Sequence, residues 1–600
     1  MDAHHDGSER YVSTLAPDLG ERVTVFVRTT GVDRVHVRTV ADGEPAFAPA
    51  TIDRRTPGGV TWWRATVTVR NPVTRYRFLL DGPGGPWWLN QLGSFAHDVP
   101  DTTDFRLVAY DPPPQWSQDA VVYQAFPDRF ARSAAADARP VPPWAIRCDW
   151  DTPVVGEGPA TPRQFYGGDL DGIAQRLDHL AALGVNTLYL TPIFPARSNH
   201  RYDAAAFDRV DPLLGGDEAL VRLAGAVHAR GWRLLGDLTT NHCGDSHPWF
   251  TAARAAPDAP EREMFYFDSE GGYESWLGVA SLPKLDWGSA QLRRRFLDGP
   301  DALATRWLRP PYGLDGWRVD VANMTGRRGH DDHTHTVAAL LRAAMVAVRP
   351  DALLLAEHGH DATGDLDHDG WHGTMNYAGF TRPVWSWLRG PDLDLTHFLG
   401  VPGPVPARPG PAVVATMRAF AALTSWRSLT TSWNLLSSHD TARIRTVVGS
   451  AERQAVAAGL LFTLPGTPMV FAGDELGLRG ENGEASRTPM PWHRRETWDE
   501  RTLRCYQDLV ALRAQRPALR RGGLRWLYAD ADALVFARET ATESVLVLAR
   551  RAAGAPVTVP MGPAANVYGG AADLVPDGSG TVTLPGDGPA LQVWVAGAPA

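Results

Sequence analysis

The stretch "GWRVDVANM", Gly316 to Met324, is short and apolar enough to be a buried strand, yet it carries two charged side chains. Successive side chains of a strand point to opposite faces, so Arg318 and Asp320 share one face while Trp317 and Val319 lie on the other. A buried carboxylate is costly unless it is paired, and a neighbouring guanidinium keeps it ionised. From these nine residues alone, the pair is either a structural ion pair or a carboxylate held anionic for chemistry.

The chain around this stretch repeats a strand followed by a helix. Amphipathic segments lie between several apolar ones, and in one of them Ile173, Leu177 and Leu180 follow the i, i+4, i+7 spacing of a helix face. The apolar segments that we interpret as strands lie at 120–126, 185–192, 232–238, 316–321, 353–358, 373–377, 433–440 and 467–475. Eight such units predict an α/β fold, a closed (β/α)8 TIM barrel of parallel strands.

Two β-rich regions flank this barrel. Short alternating segments such as "RVTVFVRTT" precede the proline cluster "DPPPQW" (111–116), which cannot continue a sheet, and short β segments return near the end of the chain. The longest informative insertion follows the third strand. We therefore predict four units: an N-terminal β-sandwich at 1–112, the catalytic barrel at 113–517, within it an inserted subdomain at about 243–288, and a C-terminal β-sandwich at 518–600.

The composition argues against several classes of partner. The formal net charge of −9 is modest for 600 residues, and the 59 lysine and arginine residues are scattered, so nucleic acid is not an expected partner. No apolar run reaches the roughly 18 residues of a membrane span, and the first residues lack a signal-peptide pattern. Three widely spaced cysteines, Cys148, Cys243 and Cys505, fit a reducing compartment. We therefore expect a cytoplasmic protein without a membrane partner.

Polar side chains follow four of the predicted strands at the point where each strand ends. The active site of such a barrel lies at the carboxyl ends of its strands, so these side chains would meet at one mouth. A single residue of this kind is more often a helix cap or a loop ligand, but four clusters at equivalent strand ends favour a functional site. The side chains are Asp237, Asn241, His242, Arg318, Asp320, Glu357, His439 and Asp440.

These residue types suit acid and base chemistry on an uncharged polar substrate. Retaining glycoside hydrolysis needs one ionised carboxylate as nucleophile and one protonated carboxyl as acid, about 5 Å apart, and adjacent barrel strands can supply that separation. Asp320 has Arg318 on its own face and is the natural anion. Glu357 follows the next strand without an adjacent cation in the sequence and is the natural acid.

The same stretches resemble the four sequence regions of the α-amylase superfamily. The matching segments are "DLTTNH" (237–242), "GWRVDVANM" (316–324), "LLLAEH" (353–358) and "LLSSHD" (435–440), in the order and spacing of that superfamily. A further region of the superfamily resembles "LPKLD" (282–286) in the insertion. The leading β-sandwich is similar to those of neopullulanases, cyclomaltodextrinases and maltogenic amylases. The resemblance spans almost the whole chain.

The resemblance implies roles for eight residues. Three carboxylates would be catalytic: Asp320 as the nucleophile, Glu357 as the acid/base, and Asp440 as the group that binds and distorts the sugar. The remaining five would hold the sugar or support the cleft: Tyr202, Asp237, His242, Arg318 and His439. Of these, Tyr202 would stack under the sugar ring.

Within the superfamily the chain is most similar to maltodextrin glucosidases, through stretches such as "FPDRFARS" (126–133) and "WLGVASLPKLD" (276–286). Met324 and Asp286 depart from the neopullulanase pattern, whereas Asn323 follows it. The resemblance implies a retaining α-glucosidase that hydrolyses α-1,4 bonds of maltodextrins and releases glucose. The alternative is a cyclomaltodextrinase, neopullulanase or maltogenic amylase. A remote alternative is a non-catalytic carbohydrate-binding protein, which would not need the three carboxylates.

Two further expectations concern ligands and assembly. Many members of the superfamily bind calcium through a loop after the first strand, but here that loop reads "RSAAADARP" (132–140), with Asp137 its only plausible oxygen side chain. Because calcium prefers 6–8 oxygen ligands, we expect no calcium at this loop, no other metal and no cofactor. The expected partners are maltodextrins and related α-glucans. The leading β module could bind sugar or form a lid and a homodimer contact.

Overall fold

Eight parallel strands form the centre of the molecule in a computed structural model that describes residues 2–56 and 58–597. Their order around the sheet is β6-β5-β4-β3-β2-β1-β8-β7, and a parallel bridge between Met375 and Trp433 joins the two ends. The predicted (β/α)8 barrel is therefore confirmed. Its strands are β1 (Val122–Ala125), β2 (Thr187–Leu190), β3 (Arg233–Thr239), β4 (Gly316–Asp320), β5 (Leu353–Ala356), β6 (Gly373–Thr374), β7 (Trp433–Leu435) and β8 (Thr467–Phe471).

The strand register brings the polar residues of neighbouring strands to one level. Asp237 on β3 lies opposite Arg318 on β4. Glu357 follows β5 directly, and its backbone N–H donates to the carbonyl of Val319 at 2.9 Å. Because all eight strands run the same way, the end of β4 at Asp320 and the end of β5 open on the same face of the barrel.

The barrel interior explains why these strands are apolar on both faces. Side chains such as Tyr189, Leu235 and Trp433 pack together inside the barrel. On the other face of β4, Trp317 is buried beneath the helices, and its indole N–H donates to the carbonyl of Ala304 at 2.9 Å. A parallel sheet with both faces covered buries nearly every side chain, so its strands are continuous apolar runs rather than alternating ones.

Helices surround the barrel. The predicted helix around residues 173–183 is divided in two, because Arg176 has non-helical backbone angles (φ −112°, ψ 7°), yet Ile173, Leu177 and Leu180 are all buried. None of the helices within 2–56 and 58–597 combines the length and apolarity needed to cross a bilayer. The α-helices are Pro127–Phe130, Leu170–Ala174, Leu177–Leu183, Gly216–His228, Pro248–Ala255, Ala290–Leu297, Leu303–Arg306, Thr334–Val348, Arg382–Leu388, Gly410–Ala421, Trp426–Thr431, Ile444–Val448, Ala451–Thr463, Gly483–Ser486, Glu500–Gln515 and Pro517–Arg521.

The N-terminal region contains two antiparallel sheets packed on one core, as the alternation in its sequence predicts. In the strand Arg22–Thr30 alternate residues are buried. The first sheet contains Asp2–His4, Arg22–Thr30, Thr61–Thr68 and Thr51–Arg55. The second contains Glu44–Pro49, Arg34–Ala41, Val73–Gly82, Gly85–Asn90, Gly93–Phe95 and Phe105–Val108.

The C-terminal region is also built from sheets. One contains Gly523–Ala529, Ala533–Glu539, Ser544–Arg550, Ala590–Ala596 and Ala565–Tyr568, and the other pairs Val557–Pro560 with Thr581–Leu584. The N-terminal region contacts both of the others. Arg427 donates to the carbonyls of Val108 and Tyr110 at 3.0 and 2.7 Å, and the backbone N–H of Leu524 donates to Asp6 at 2.8 Å.

The insertion after β3 returns to the end of that strand. An isolated antiparallel bridge pairs His242 with Lys284, and the N–H of Leu285 donates to the carbonyl of Asn241 at 2.9 Å. The indole N–H of Trp287 donates to the carbonyl of Thr240 at 2.8 Å. These bonds hold residues 282–287 against the mouth of the barrel.

Candidate active site

The side chain of Arg318 is fully buried and connects three carboxyl groups. Its Nη1 donates to both oxygens of Asp237 at 2.9 Å and to Oδ1 of Asp320 at 2.8 Å. Its Nη2 lies 2.7 Å from Oε1 of Glu357. One guanidinium therefore joins carboxyl groups from the ends of β3, β4 and β5, and the charges in "GWRVDVANM" belong to a network that extends over three strands.

This network corrects one inference from the sequence. Glu357 has no adjacent cation in the sequence, but the fold places it against Arg318, so a neighbouring cation does not distinguish Asp320 as the anion from Glu357 as the acid. Burial and the charge of Glu357 raise the pKa of Asp320 well above its ordinary value, and Arg318 opposes that shift. Arg318 therefore holds Asp320 and Glu357 side by side, and the negative charge of one disfavours that of the other.

The backbone at Val321 positions the second oxygen of Glu357. Val321 has a φ of 47°, in the left-handed region that β-branched residues rarely adopt. In this conformation its N–H donates to Oε2 of Glu357 at 2.8 Å. Strained backbone of this kind persists where the surrounding structure requires it, as at functional sites. Both oxygens of Glu357 are thus held by β4 and the residue that follows it.

Asp237 lies beneath the other carboxyl groups and is fully buried. It accepts hydrogen bonds from Tyr189 at 2.6 Å and from Tyr202 at 2.9 Å, in addition to those from Arg318. Burial raises the pKa of Asp237, against the opposing effect of Arg318. The ring of Tyr202 stacks on His439, with centroids 5.4 Å apart and 10° between planes. Tyr202 is thus anchored in the cleft, and its stacking under a sugar stays a prediction.

His439 and Asp440 follow β7 on the opposite side of the cleft. Gln124, near the end of β1, accepts from the backbone N–H of His439 at 3.2 Å, so its amide nitrogen faces Nδ1 of that ring at 2.9 Å. Nδ1 therefore accepts this bond and Nε2 carries a proton, and Nε2 lies 2.9 Å from Oδ2 of Asp440. Arg487 holds the other oxygen at 3.2 Å.

The environment of Asp440 keeps this carboxyl ionised. Partial burial works against the charge, but His439 and Arg487 more than offset it and lower the pKa of Asp440 below its ordinary value. The side chain is still 41% exposed, whereas that of Asp320 is 8% exposed. The cleft therefore contains one carboxylate that stays anionic, Asp440, and one carboxyl group whose pKa is raised, Asp320.

His242 completes the group of residues predicted from the sequence. The ring is buried, and its Nε2 lies 3.9 Å from Oδ2 of Asp320. Burial and the charge of Lys284 lower the pKa of His242 to about 3, so the imidazole is neutral at ordinary pH. The structure thus brings all eight predicted site residues to the carboxyl ends of β3, β4, β5 and β7 or next to them.

Sequence reasoning missed several residues that shape this site. Gln124 lies one residue before the end of β1, so the rule that polar residues near strand ends converge would have found it. Lys284 lies in a recognised segment but was given no role. Tyr189 alternates with apolar residues on β2 and has no distinguishing pattern. Arg487 lies 47 positions after Asp440 in a loop, and no local signal in the sequence connects the two.

The loop after β1 (132–140), where we expect no calcium, forms a short 3₁₀ turn over Ala134–Ala138. The carboxylate of Asp137 pairs with the guanidinium of Arg132. Across residues 2–56 and 58–597, no group of three or more His, Cys, Asp or Glu side chains is arranged to hold a metal ion. The expectation that the protein works without calcium stays a prediction.

Comparison with known proteins agrees with this architecture. The family model described as "Alpha amylase, catalytic domain" matches residues 124–368 and 412–522. A cyclomaltodextrinase from Geobacillus thermopakistaniensis is 31% identical over 512 residues, which cover 82% of this chain and 80% of the relative. An intracellular maltogenic amylase from Bacillus subtilis is 31% identical over 444 residues, covering 72% and 68%. The solved structure of a cyclomaltodextrinase superposes with a TM-score of 0.74 at 26% identity and covers 99% of each chain.

The fold, the strand-end residues and these matches agree with one another. The family model covers more than half of the chain, and the structural match extends over the N-terminal and C-terminal sheets as well as the barrel. The matched ranges contain every carboxyl, imidazole and guanidinium group predicted for the site. The chain belongs to the α-amylase family of glycoside hydrolases.

Proposed function

We propose that the protein is a retaining hydrolase of maltodextrins and related α-glucans, of the cyclomaltodextrinase and neopullulanase type. The observation that carries the proposal is the contact of one buried guanidinium, Arg318, with both Asp320 and Glu357. This contact holds two carboxyl groups of adjacent strands on one cleft. Retaining glycosidases use a pair of closely spaced carboxyl groups, one as nucleophile and one as acid.

The proposed reaction is a double displacement. Glu357 gives its proton to the glycosidic oxygen while Asp320 attacks the anomeric carbon, forming a covalent glycosyl-enzyme and releasing the leaving sugar. Glu357 then takes a proton from water, which attacks the same carbon and frees Asp320. Since each step inverts the anomeric centre, the product keeps the α configuration. The arrangement that this reaction needs has a proton on Glu357 and a negative charge on Asp320.

Four other groups support this reaction. Asp440 is anionic and partly exposed, so it can accept hydrogen bonds from sugar hydroxyl groups. His242 is a neutral donor on one side of the cleft, and the Nε2–H of His439 is a donor on the other side. Arg318 stabilises the negative charge that passes between the two catalytic carboxyl groups.

The stereochemistry of the first product tests the mechanism. Proton NMR during the first minutes of maltotriose hydrolysis should show the new reducing end as the α anomer, before mutarotation produces the β anomer. Initial release of the β anomer would exclude double displacement. A variant with Asp320→Asn should lose this activity and serves as the control for contaminating glycosidases.

The names of the relatives favour this assignment over the α-glucosidase that the sequence first suggested, since the similar proteins are named cyclomaltodextrinase and maltogenic amylase. Relative rates on a cyclodextrin, pullulan, maltotriose and maltose distinguish the two. A cyclomaltodextrinase should hydrolyse the cyclodextrin at least as fast as maltotriose. Rapid release of glucose from maltotriose with no attack on cyclodextrin or pullulan would instead establish the α-glucosidase.

The location, assembly and metal content are proposals of the same kind. A cytoplasmic location is supported by the name of the intracellular relative and by three cysteines that are all free thiols. Independence from calcium is supported by the pairing of Asp137 with Arg132. Metal analysis after dialysis against a chelator should find well under one calcium ion per chain with activity retained. Sedimentation velocity would show whether the protein forms the homodimer considered from the sequence.

A further inference from the structure

Lys284 is the only lysine in a chain of 600 residues, in which every other basic side chain of the 59 is an arginine. It is 5% exposed and lies at the mouth of the barrel, where the insertion pairs with the end of β3. The structure places no carboxylate of residues 2–56 and 58–597 within ion-pair distance of its ammonium group. A buried cation held only by neutral oxygens requires an explanation, because its desolvation is costly.

The partners of this ammonium group define a directed chain of hydrogen bonds. Lys284 Nζ donates to the side-chain oxygen of Asn241 and, at 2.8 Å, to the backbone carbonyl of Met324. An ammonium group can only donate, so the amide oxygen of Asn241 must face it and the amide nitrogen must face the other way. That nitrogen lies 3.1 Å from Nδ1 of His242.

The direction of these hydrogen bonds determines which nitrogen of His242 carries the proton. The amide nitrogen of Asn241 is a donor, so Nδ1 of the neutral ring must accept and Nε2 must be protonated. This Nε2–H is buried, lies 3.9 Å from Oδ2 of Asp320, and makes no hydrogen bond of good geometry among the described residues, with the backbone carbonyl of Tyr202 beside the ring. It is therefore a donor aimed at the space beside the nucleophile.

We propose that Lys284 is a positioning residue that fixes His242 as the neutral Nε2–H tautomer, through Asn241, so that the imidazole donates to a sugar hydroxyl beside Asp320. The tautomer assignment is independent of the substrate, and only the identity of the acceptor as a sugar rests on the proposed function. Lysine suits this position because its compact ammonium reaches two oxygens in different directions, whereas the planar guanidinium of arginine is wider and has a fixed geometry.

The charges around His242 agree with this role. The charged and titratable groups that face the ring are Asp320 and Lys284, and the backbone carbonyl of Tyr202 also lies beside it. Burial first, and then Lys284, lower the pKa of His242, while the Tyr202 carbonyl opposes them. Burial also lowers the pKa of Lys284 to about 8, with Glu274 opposing. A charged lysine and a neutral histidine are thus the stable combination near neutral pH.

The tautomer can be measured in the protein without substrate. In protein labelled with ¹⁵N in its histidine rings, the His242 signals are assigned by their loss in the variant His242→Asn. At pH 7, Nδ1 should show the shift of an unprotonated acceptor nitrogen and Nε2 that of a protonated nitrogen. An Nδ1–H tautomer, or an imidazolium, in the wild-type protein would overturn the proposal whether or not the enzyme hydrolyses glucans.

Two variants test the cause. Asn241→Asp replaces the donor by an acceptor and should move the proton to Nδ1, or produce an imidazolium, while the carboxylate keeps its contact with Lys284. Lys284→Met removes the cation, frees the amide of Asn241 to rotate, and should raise the pKa of His242 by at least one unit. The exposed cation Arg501, paired with Glu452 at 3.1 Å, provides the matched control Arg501→Met, which should leave both signals unchanged.

The kinetic readout separates positioning from a general structural effect. In both Asn241→Asp and Lys284→Met we expect kcat/KM for maltotriose to fall about tenfold or more at pH 7. The acid limb of the pH profile should move to higher pH as His242 begins to titrate. A structural effect would lower the active fraction equally at all pH values. If folded Lys284→Met keeps the wild-type pH profile and the wild-type His242 signals, Lys284 has no positioning role.

Discussion

The protonation states of the cleft are decided by which side chains touch one another rather than by which lie close in the sequence. Arg318 is two residues from Asp320 and 39 from Glu357, yet it contacts both at less than 3 Å. Burial raises the pKa of Asp320, while His439 and Arg487 keep that of Asp440 low. The cleft thus combines a carboxyl group whose pKa is raised with a carboxylate that stays charged.

At this scale, Glu357→Gln tests the acid. The amide keeps the size of the side chain but has no transferable proton, so kcat on maltotriose should fall by about 10²–10⁴-fold with KM little changed. An aryl glucoside with an activated phenol needs no proton to depart, so formation of the glycosyl-enzyme from it should be far less affected. Equal losses on both substrates would assign the acid elsewhere.

Arg487 offers a second test, because it is one of the two basic side chains that lower the pKa of Asp440. The folded-state pKa of Asp440 is below its ordinary value, so its charge is present at neutral pH and is lost as pH falls. Arg487→Met should raise that pKa, move the acid limb of kcat/KM upward and increase KM about tenfold. The exposed Arg495, in the same part of the chain, gives the control Arg495→Met. An acid limb that does not move would show that Asp440 does not govern it.

At the scale of single elements, β4 decides where Asp320, the proposed nucleophile, lies. Gly316 begins this strand with a φ of 151°, and a Cβ atom there would lie 2.1 Å from the carbonyl oxygen of Leu353 on β5. The two strands approach so closely because no side chain separates them. Gly316 therefore allows β4 to begin against Leu353, in the register that brings Asp320 and Glu357 to the same end of the two strands.

Gly316→Ala should therefore affect both stability and activity. The added methyl group must push β4 away from β5, at a cost of about 3 kcal/mol in the free energy of unfolding, and misplace Asp320 relative to Glu357. Urea unfolding and kcat measured on the remaining folded protein check the two effects. Gly225→Ala, at a helix position where an added Cβ meets nothing within 4 Å, is the matched control and should be neutral or slightly stabilising. A Gly316→Ala protein with unchanged stability would contradict the close packing of the strands.

At the scale of the whole molecule, buried histidines in several regions limit stability in acid. Burial lowers the pKa of each of them, to about 4 for His5 and to about 3 for His242 and His247, and also lowers those of His200 and His372. In the unfolded chain these rings bind protons near their ordinary pKa of about 6.5, whereas in the folded state they stay unprotonated at that pH. Each pH unit below that value therefore favours unfolding by about 1.4 kcal/mol per histidine.

We expect the melting temperature to be nearly constant from pH 8 to 7 and to fall steeply between pH 6 and 4. His5→Gln should reduce by about one the number of protons that the chain takes up on unfolding, and so make the fall in melting temperature shallower. His5 contacts the carbonyl of Phe26 and the hydroxyl of Tyr76 in the N-terminal core. His330, whose side chain is 99% exposed, gives the control His330→Gln, which should leave the slope unchanged. A melting temperature independent of pH over this range would show that the rings are not held neutral.

The sequence by itself determined the barrel and most of the site. Parallel strands covered on both sides must be apolar throughout, so the eight strands stand out, and the polar residues at their ends can only meet at one mouth. Asp320, Glu357, Asp440 and their neighbours follow from that rule alone. Local patterns are sufficient here because the strand period and the direction of the chain fix where each side chain points.

Only the tertiary structure decided which charges touch. The contact of Glu357 with Arg318, the approach of Arg487 to Asp440, and the chain from Lys284 through Asn241 to His242 join residues from different strands and loops. Their distances depend on register, on the close approach at Gly316 and on the path of the insertion after β3. Coulomb and hydrogen-bond energies change over a few tenths of an ångström to a few ångströms, a precision that a sequence pattern cannot supply.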